Sequence, residues 1–261
     1  MSVVNVMQAL AGENIRVEVG EGWSVAQCDH ATLGAALRAA GVKCDALIVD
    51  APYSERTHAG HNGVASGTAR RTINYAAWTA ADVATFVSVW GDVTDGWIVS
   101  LTDDDLALVW RDEMECAGRC VFRSVPCVIR GMSVRFAGDG PSSWSVHAMT
   151  SRPRSRRFAT WGTLPGAYDV QKERQPVTGG KPVQLMRALV RDYSKHGALV
   201  CDPCMGGGTT LVAALEEGRR AIGCEPDAER YEIAVERLRA TTRQTRLQFS
   251  PAVQLGLGGE L

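Results

Sequence analysis

The sequence predicts an α/β protein built on a mostly parallel sheet with helices on both faces. Three observations predict it. Strand-like and helix-like stretches alternate over most of the 261 residues. Apolar runs such as "ALIV" at 46–49 are continuous, as in strands buried on both faces. A strand, a glycine turn and a helix follow one another in "LVCDPCMGGGTTLVAALEEGRRAIGCEPD".

The first short strand is "WSVAQ" at 23–27, and "ATLGAALRAAG" at 31–41 reads as a helix stopped by glycine. Strand 46–49 runs into "DAPY" at 50–53, which sets an acid, a rigid turn and an aromatic ring at a strand end. Ser54 to Arg71 has no period and reads as a long loop. Thr79 opens a helix, with Asp82 in the capping-box position and Val83, Phe86, Val87 and Trp90 on one face. "GWIVSL" at 96–101 is a strand, and "DDLALVWRDEMECAG" after it a helix. Segments 120–131 and 144–151 form a strand pair, joined by "FAGDGPSS" with turn chemistry. Segment 152–180 carries three prolines and little period, so an irregular insertion is expected. Helix 182–195, strand 198–202, helix 208–217, strand 220–225 and helix 227–240 close the unit. One domain over 1–240 results, with a catalytic half (23–150), an insertion (152–180) and a cofactor half (181–240); 241–261 is a weakly patterned tail.

Hydrophobic (45%) and charged (22%) fractions are those of a soluble globular protein, and the net charge of −1 argues against nucleic-acid binding through bulk charge alone. No apolar run is long enough for a membrane span, and the N-terminus lacks the pattern of an export signal. The eight cysteines therefore read as free thiols of a reducing compartment. Cys201 and Cys204 form a C-x-x-C pair without a second pair, so no metal is expected. Between Ser151 and Lys181, seven Lys and Arg face two acids, which fits a solvated loop or a phosphate-tracking surface.

The glycine window is the most informative. A strand ends at Asp202, three glycines follow, a helix starts at Thr209 or Thr210, and Glu225 ends the next strand. Glycines let the backbone approach a ligand, the helix start offers unpaired N–H groups, and the second acid is placed for ribose hydroxyls. A dinucleotide and S-adenosylmethionine both fit this scaffold. "DPCMGGGTT" lacks the spaced G-x-G-x-x-G pattern, and Asp202 stands where it could meet an ammonium group, which favours S-adenosylmethionine.

"DAPY" and "DPCMGGGTT" together resemble the catalytic and cofactor motifs of the DNA amino-methyltransferases, Asp-Pro-Pro-Tyr and Asp-Pro-Phe-x-Gly-x-Gly-Thr. "GGKPVQLMRALVRDYSKHGALVCDP" is similar to that family's lysine-proline helix, "AIGCEPDAERYEIAVERL" to its ribose-binding strand and helix, and "WSVAQCD" to its adenine-facing segment. The catalytic motif comes first, with a basic insertion between, as in the class called beta. The resemblance covers 23–240. It implies a Rossmann-like fold with a seven-stranded sheet, S-adenosylmethionine as cofactor and double-stranded DNA as substrate. A homodimer is a state common in that family, and no membrane is involved. It also implies a cytoplasmic, nucleoid-associated protein of a prokaryote or phage-infected cell.

The residues carried over are Asp29, Lys181, Asp202, Cys204, Gly206, Gly208, Thr209, Thr210 and Glu225 for the cofactor, and Asp50, Ala51, Pro52 and Tyr53 for catalysis. The Asp50 carboxylate and Ala51 carbonyl would hold the two hydrogens of an exocyclic amine, turning its lone pair to the methyl group. Pro52 sets the turn, and Tyr53 stacks on a flipped-out base. Two positions depart from the family pattern: Ala51 stands for its first proline and Cys204 for its phenylalanine. DNA contacts are expected from Arg56, His58, His61, Arg70 and Arg71, and from Arg152, Arg154, Arg156, Arg157 and Trp161 of the insertion. The resemblance favours N6-methylation of adenine. N4-methylation of cytosine, a catalytically silent DNA-binding protein and a dinucleotide oxidoreductase are the alternatives.

Overall fold

The computed structural model describes residues 2–62, 75–131, 144–155 and 161–249. In chain order its elements are α1 (Val3–Gly12), β1 (Val17–Gly20), β2 (Trp23–Ala26), α2 (His30–Ala39), β3 (Cys44–Asp50), α3 (Glu55–Asn62), α4 (Ala80–Val93), β4 (Thr94–Thr102) and α5 (Asp104–Cys116). Then come β5 (Cys120–Val121), β6 (Val125–Arg130), β7 (Ser145–Arg152), β8 (Tyr168–Gln171), α6 (Val183–Tyr193), β9 (Leu199–Asp202), α7 (Thr209–Glu216), β10 (Arg220–Cys224) and α8 (Ala228–Phe249).

One sheet runs β1-β2-β10-β9-β3-β4-β7-β6-β8, with β5 paired to β7. Its centre, β2, β10, β9, β3 and β4, is parallel. β7 lies antiparallel to β4, and β6 antiparallel to β7. Among the described residues the sheet has ten strands where seven were expected. The additions β1, β5 and β8 have four, two and four residues, too short for a periodic signal to rise above its surroundings.

Helices α1, α2, α4 and α5 bury one face, and α6, α7 and α8 the other. β3 shows why its run is continuous: Leu47 and Val49 enter the first core, while Ile48 enters the second. The expected capping box is present, with the Asp82 carboxylate accepting from the Thr79 N–H at 2.7 Å. Val83, Phe86, Val87 and Trp90 are buried beneath it.

Three sequence expectations are corrected. Residues 55–62 form helix α3 rather than loop. It lacks an apolar stripe and is held by polar contacts, the Ser54 and Thr57 hydroxyls donating to Asp103 at 2.6 and 2.5 Å. The insertion 152–180 contains β8, which pairs in parallel with β6 and buries alternate residues Tyr168 and Val170. The final helix continues past 240 to Phe249. Trp23 Nε1 donates to Thr242 Oγ1 at 3.0 Å, a long-range contact that ties the added turns to β2.

The crossover from β3 to β4 passes over one face through α4, and that from β9 to β10 over the other through α7. The two crossovers diverge between β9 and β3, opening a crevice at the carboxyl ends of the strands.

Candidate active site

That crevice is a cavity of about 200 Å³ reached by Asp29, Asp50, Lys181, Asp202, Glu225 and the glycine turn. Residues 175 positions apart in sequence therefore converge because β3, β9 and β10 end side by side.

Strand β9 delivers Asp202, which is 1% exposed and accepts a 3.1 Å bond from the Cys204 N–H. The turn that follows needs glycine. Gly206 has φ +49°, and a Cβ there would stand in open space, so the bare backbone is open to a ligand. Gly208 caps α7 with φ +77°, while Ala234 lies 3.0 Å from where its Cβ would be. Thr209 and Thr210 are buried at the helix start; Arg237 donates to Thr209 Oγ1 at 3.0 Å. Glu225 accepts from the N–H of Gly206 and of Asp227, both at 3.0 Å, which ties this acid to the turn.

Burial dominates the electrostatics here. It pushes Asp202 up to about 7 despite bonds from Thr210 and Cys204, with Asp50 and Glu225 adding repulsion. It also raises Glu225 against its two N–H bonds. The folded state thus holds the Asp202 proton to a higher pH than the unfolded chain does. Ionising it costs stability progressively as pH rises from the ordinary carboxylate value towards 7. A cation bound beside it would offset that cost. Cys204 lines the same cavity, and burial pushes its thiol well up, so it is a weak nucleophile.

The catalytic-type turn leaves the end of β3. Asp50 accepts from the Tyr53 hydroxyl at 3.1 Å, and the Lys181 ammonium lies 2.8 Å from the Asp50 carboxylate. Lys181 also sits 4.7 Å from the Tyr53 ring centroid. The Lys181 ammonium therefore contacts both the carboxylate and the ring. Tyr53 is half-buried, and its phenol is pushed well up by burial and by Asp50, so the hydroxyl stays a donor. Ala51 is buried at 3% exposure, and the Tyr53 carbonyl accepts the Trp78 N–H at 3.0 Å. Asp29, the adenine-side candidate, borders the cavity and caps α2 through the Thr32 N–H at 2.8 Å.

The expected DNA contacts fare differently. His58 is 5% exposed, its ring edge-on to Tyr75 at 5.0 Å, so it faces the interior rather than DNA. Arg56 is exposed and pairs with Asp105 at 3.2 Å. Arg152 and Arg154 lie towards the other end of the sheet: Arg152 pairs with Cys120, and Arg154 Nε donates to the Gly118 carbonyl at 3.2 Å. β7 runs antiparallel to β4, so its C-terminal end points away from the crevice. Trp161 is packed rather than free, donating to the Asp192 carbonyl at 2.9 Å and meeting Trp97 edge-on at 5.9 Å. Arg70, Arg71, Arg156 and Arg157, the linker "FAGDGPSS" and the His61 side chain lie outside the described residues.

Sequence reasoning missed Tyr75, Trp78, His30 and Arg230 at this cavity. Arg230 stacks over the Tyr75 ring at 4.5 Å, and His30 meets Trp78 at 5.7 Å. Tyr75, Trp78 and His30 carry no periodic or motif signal, and nothing within the family-like segment 221–238 singles out Arg230; only folding brings them to the rim.

Known proteins share the family and the fold. Residues 52–236 match the model of the DNA methylase family of N6 and N4 methyltransferases, well over half of the chain. The chain belongs to that family. The matched span takes in the turn from Pro52, the glycine turn and Glu225. The type II methyltransferase M.MjaI of Methanocaldococcus jannaschii is 30% identical over 121 residues, 46% of this chain and 40% of that protein. M.HindIII of Haemophilus influenzae is 47% identical over 58 residues, 22% of this chain and 19% of its own length. The matches thus span less than half of these relatives. The structure of M1.HpyAVI in complex with SAM superposes with a TM-score of 0.65 at 16% identity, covering 83% of this chain and 99% of that one. The PvuII DNA methyltransferase, described as cytosine-N4-specific, gives 0.58 at 12% identity over 86% and 92%. At such identities the likeness concerns the fold, a methyltransferase-type Rossmann-like sheet.

Proposed function

We propose that this chain transfers a methyl group from S-adenosylmethionine to the exocyclic amine of a base in double-stranded DNA, and that the base is adenine. The observation that carries the reading is the convergence of Asp50 with the glycine turn and Glu225 on one crevice. The cavity residues suit the cofactor. Glu225 keeps lone pairs for ribose hydroxyls after its two backbone bonds, buried Asp202 suits a cation, and open Gly206 allows close approach. When bound, S-adenosylmethionine supplies a methyl group already activated on a sulfonium.

The chain's own residues then align the acceptor. Asp50 accepts one amine hydrogen and the Ala51 carbonyl the other, and the carboxylate stabilises the charge growing on the nitrogen. Lys181 gives up its place beside Asp50 when the amine arrives. Tyr53 supplies a face for the flipped base. The test is to incubate the protein with labelled cofactor and DNA, digest to nucleosides and identify the product. N6-methyladenine supports the reading, N4-methylcytosine moves it to the other member of the family, and no transfer to any of several DNAs removes it.

Cofactor affinity should depend on pH. With Asp202 near 7, a cationic ligand binds best to its ionised form, so affinity rises with pH through about 7 and binding releases a proton. Calorimetry in buffers of different ionisation enthalpy measures that proton; a flat affinity between about pH 6 and 8 would count against Asp202 as the cation's partner.

DNA should meet the crevice end of the sheet, where exposed Lys172 and Arg174 follow β8. Replacing both by Ala should weaken DNA binding and lower the slope of log K against log salt by about 1 for each phosphate left unneutralised. Arg152→Ala and Arg154→Ala should leave that slope unchanged. Fluorescence-anisotropy titrations at several salt concentrations distinguish the two pairs.

A further inference from the structure

The turn that carries Asp50, Ala51 and Tyr53 is anchored from outside its own segment. Asp103 stands just past the end of β4, beside β3 in the sheet. One of its oxygens, Oδ2, accepts three bonds: from the Ser54 N–H at 3.0 Å, the Ser54 hydroxyl at 2.6 Å and the Thr57 hydroxyl at 2.5 Å. The other, Oδ1, caps α5 through the Leu106 N–H at 3.2 Å. Ser54 is 7% exposed and directly follows Tyr53. Asp105 adds a longer contact to the same hydroxyl at 3.2 Å and holds Arg56.

We infer that Asp103 is a positioning residue, holding the turn in the geometry that aims Asp50 and the Ala51 carbonyl at one amine. This rests on the reading of Asp50 to Tyr53 as the amine-gripping turn. The physical reason lies in the sequence of the turn. Ala51 has a free φ, so the covalent chain presets the carbonyl of residue 51 less firmly than a proline would. Strand pairing fixes the entry, where Asp50 lies opposite Leu101. The exit is fixed by Asp103 at Ser54, with the Trp78 N–H holding the Tyr53 carbonyl between them. Charge makes Asp103 suited to this. Burial by itself would raise its carboxyl, but the bonds from Ser54, Thr57 and the two backbone N–H groups outweigh that and hold it below the usual value. An ionised carboxylate accepts several donors at once, whereas an amide offers a single oxygen.

Asp103→Asn is the informative variant, because asparagine caps a helix about as well as aspartate and so spares α5. Ser54→Ala/Thr57→Val removes the two hydroxyl bonds from the other side and leaves the Ser54 N–H in place. Three measurements are made on the full chain: methyl transfer to DNA at saturating cofactor, cofactor Kd by calorimetry, and amide hydrogen exchange at Ala51 and Tyr53 by NMR. The expected result for both variants is a kcat lower by roughly 10–100-fold, with cofactor Kd and Tm close to wild type and faster exchange at both amides. Exchange unchanged at Ala51 and Tyr53, or a loss of kcat that follows loss of cofactor affinity, overturns the inference. Should the unmodified protein transfer no methyl group, the functional reading fails, and the exchange data alone decide whether Asp103 holds the turn.

Discussion

Asp50→Asn should lower methyl transfer at least about a hundredfold, the scale on which a preorganised electrostatic contact acts in a transition state, while cofactor binding persists. The side chain keeps its size but loses its charge and one acceptor oxygen. Asp50 now accepts from Tyr53 and holds Lys181 at 2.8 Å. In the variant, the new amide nitrogen would face one of three donors: the phenol, the ammonium or the incoming amine. Of these only the phenol oxygen can also accept from it, so a single acceptor oxygen is left for the ammonium or the amine. The remaining amide oxygen and the Ala51 carbonyl could still hold the amine, but no negative charge would balance the one growing on it. Asparagine is a cleaner choice than alanine, because Asp50→Ala would strand an ammonium whose side chain is 11% exposed, confusing catalysis with stability. Single-turnover transfer of labelled methyl, with calorimetry of the cofactor, checks the expectation; a rate within about tenfold of wild type would falsify the role of Asp50.

Glu225→Gln should act on the other side of the cavity, weakening cofactor binding by roughly 10–100-fold, as losing a charge-assisted bond pair does. The two oxygens of Glu225 are already committed, one to the Gly206 N–H and the other to the Asp227 N–H. Glutamine keeps one acceptor and presents a donor to the second N–H, so the glycine turn loosens where the ribose is expected. Saturating cofactor should restore most of kcat, because Glu225 touches no reacting atom. Calorimetric titration measures the first effect and transfer rates at high cofactor the second. An unchanged Kd would sink the ribose assignment. A kcat that stayed low at saturation would instead place Glu225 in the alignment of the transfer itself.

Much of this was legible before folding. The glycine turn and Glu225 could be read because the cofactor unit is local: strand, turn, helix and acid lie within about two dozen residues, and each constraint acts on neighbours in the chain. The capping box at Thr79 and the apolar face of α4 were legible for the same reason. "DAPY" was legible only as a motif. Nothing nearby could reveal that Lys181 would sit on Asp50, or that Asp103 would hold Ser54 from the next strand.

Charge pattern misled where local reading ran out. A basic run cannot say which end of a sheet it leaves from, and β7 carries Arg152 and Arg154 away from the crevice. His58, polar and in a segment without an apolar period, reads as surface, yet it packs edge-on against Tyr75, an aromatic that follows it 17 positions later. Sequence by itself determined the parallel α/β class, the glycine turn and the residue types at the two strand ends, since these follow from period, glycine placement and residue type. Tertiary structure alone decided which groups meet there and which face the turn presents. Those depend on strand order and direction, and these are set by which apolar faces bury against each other across the whole chain.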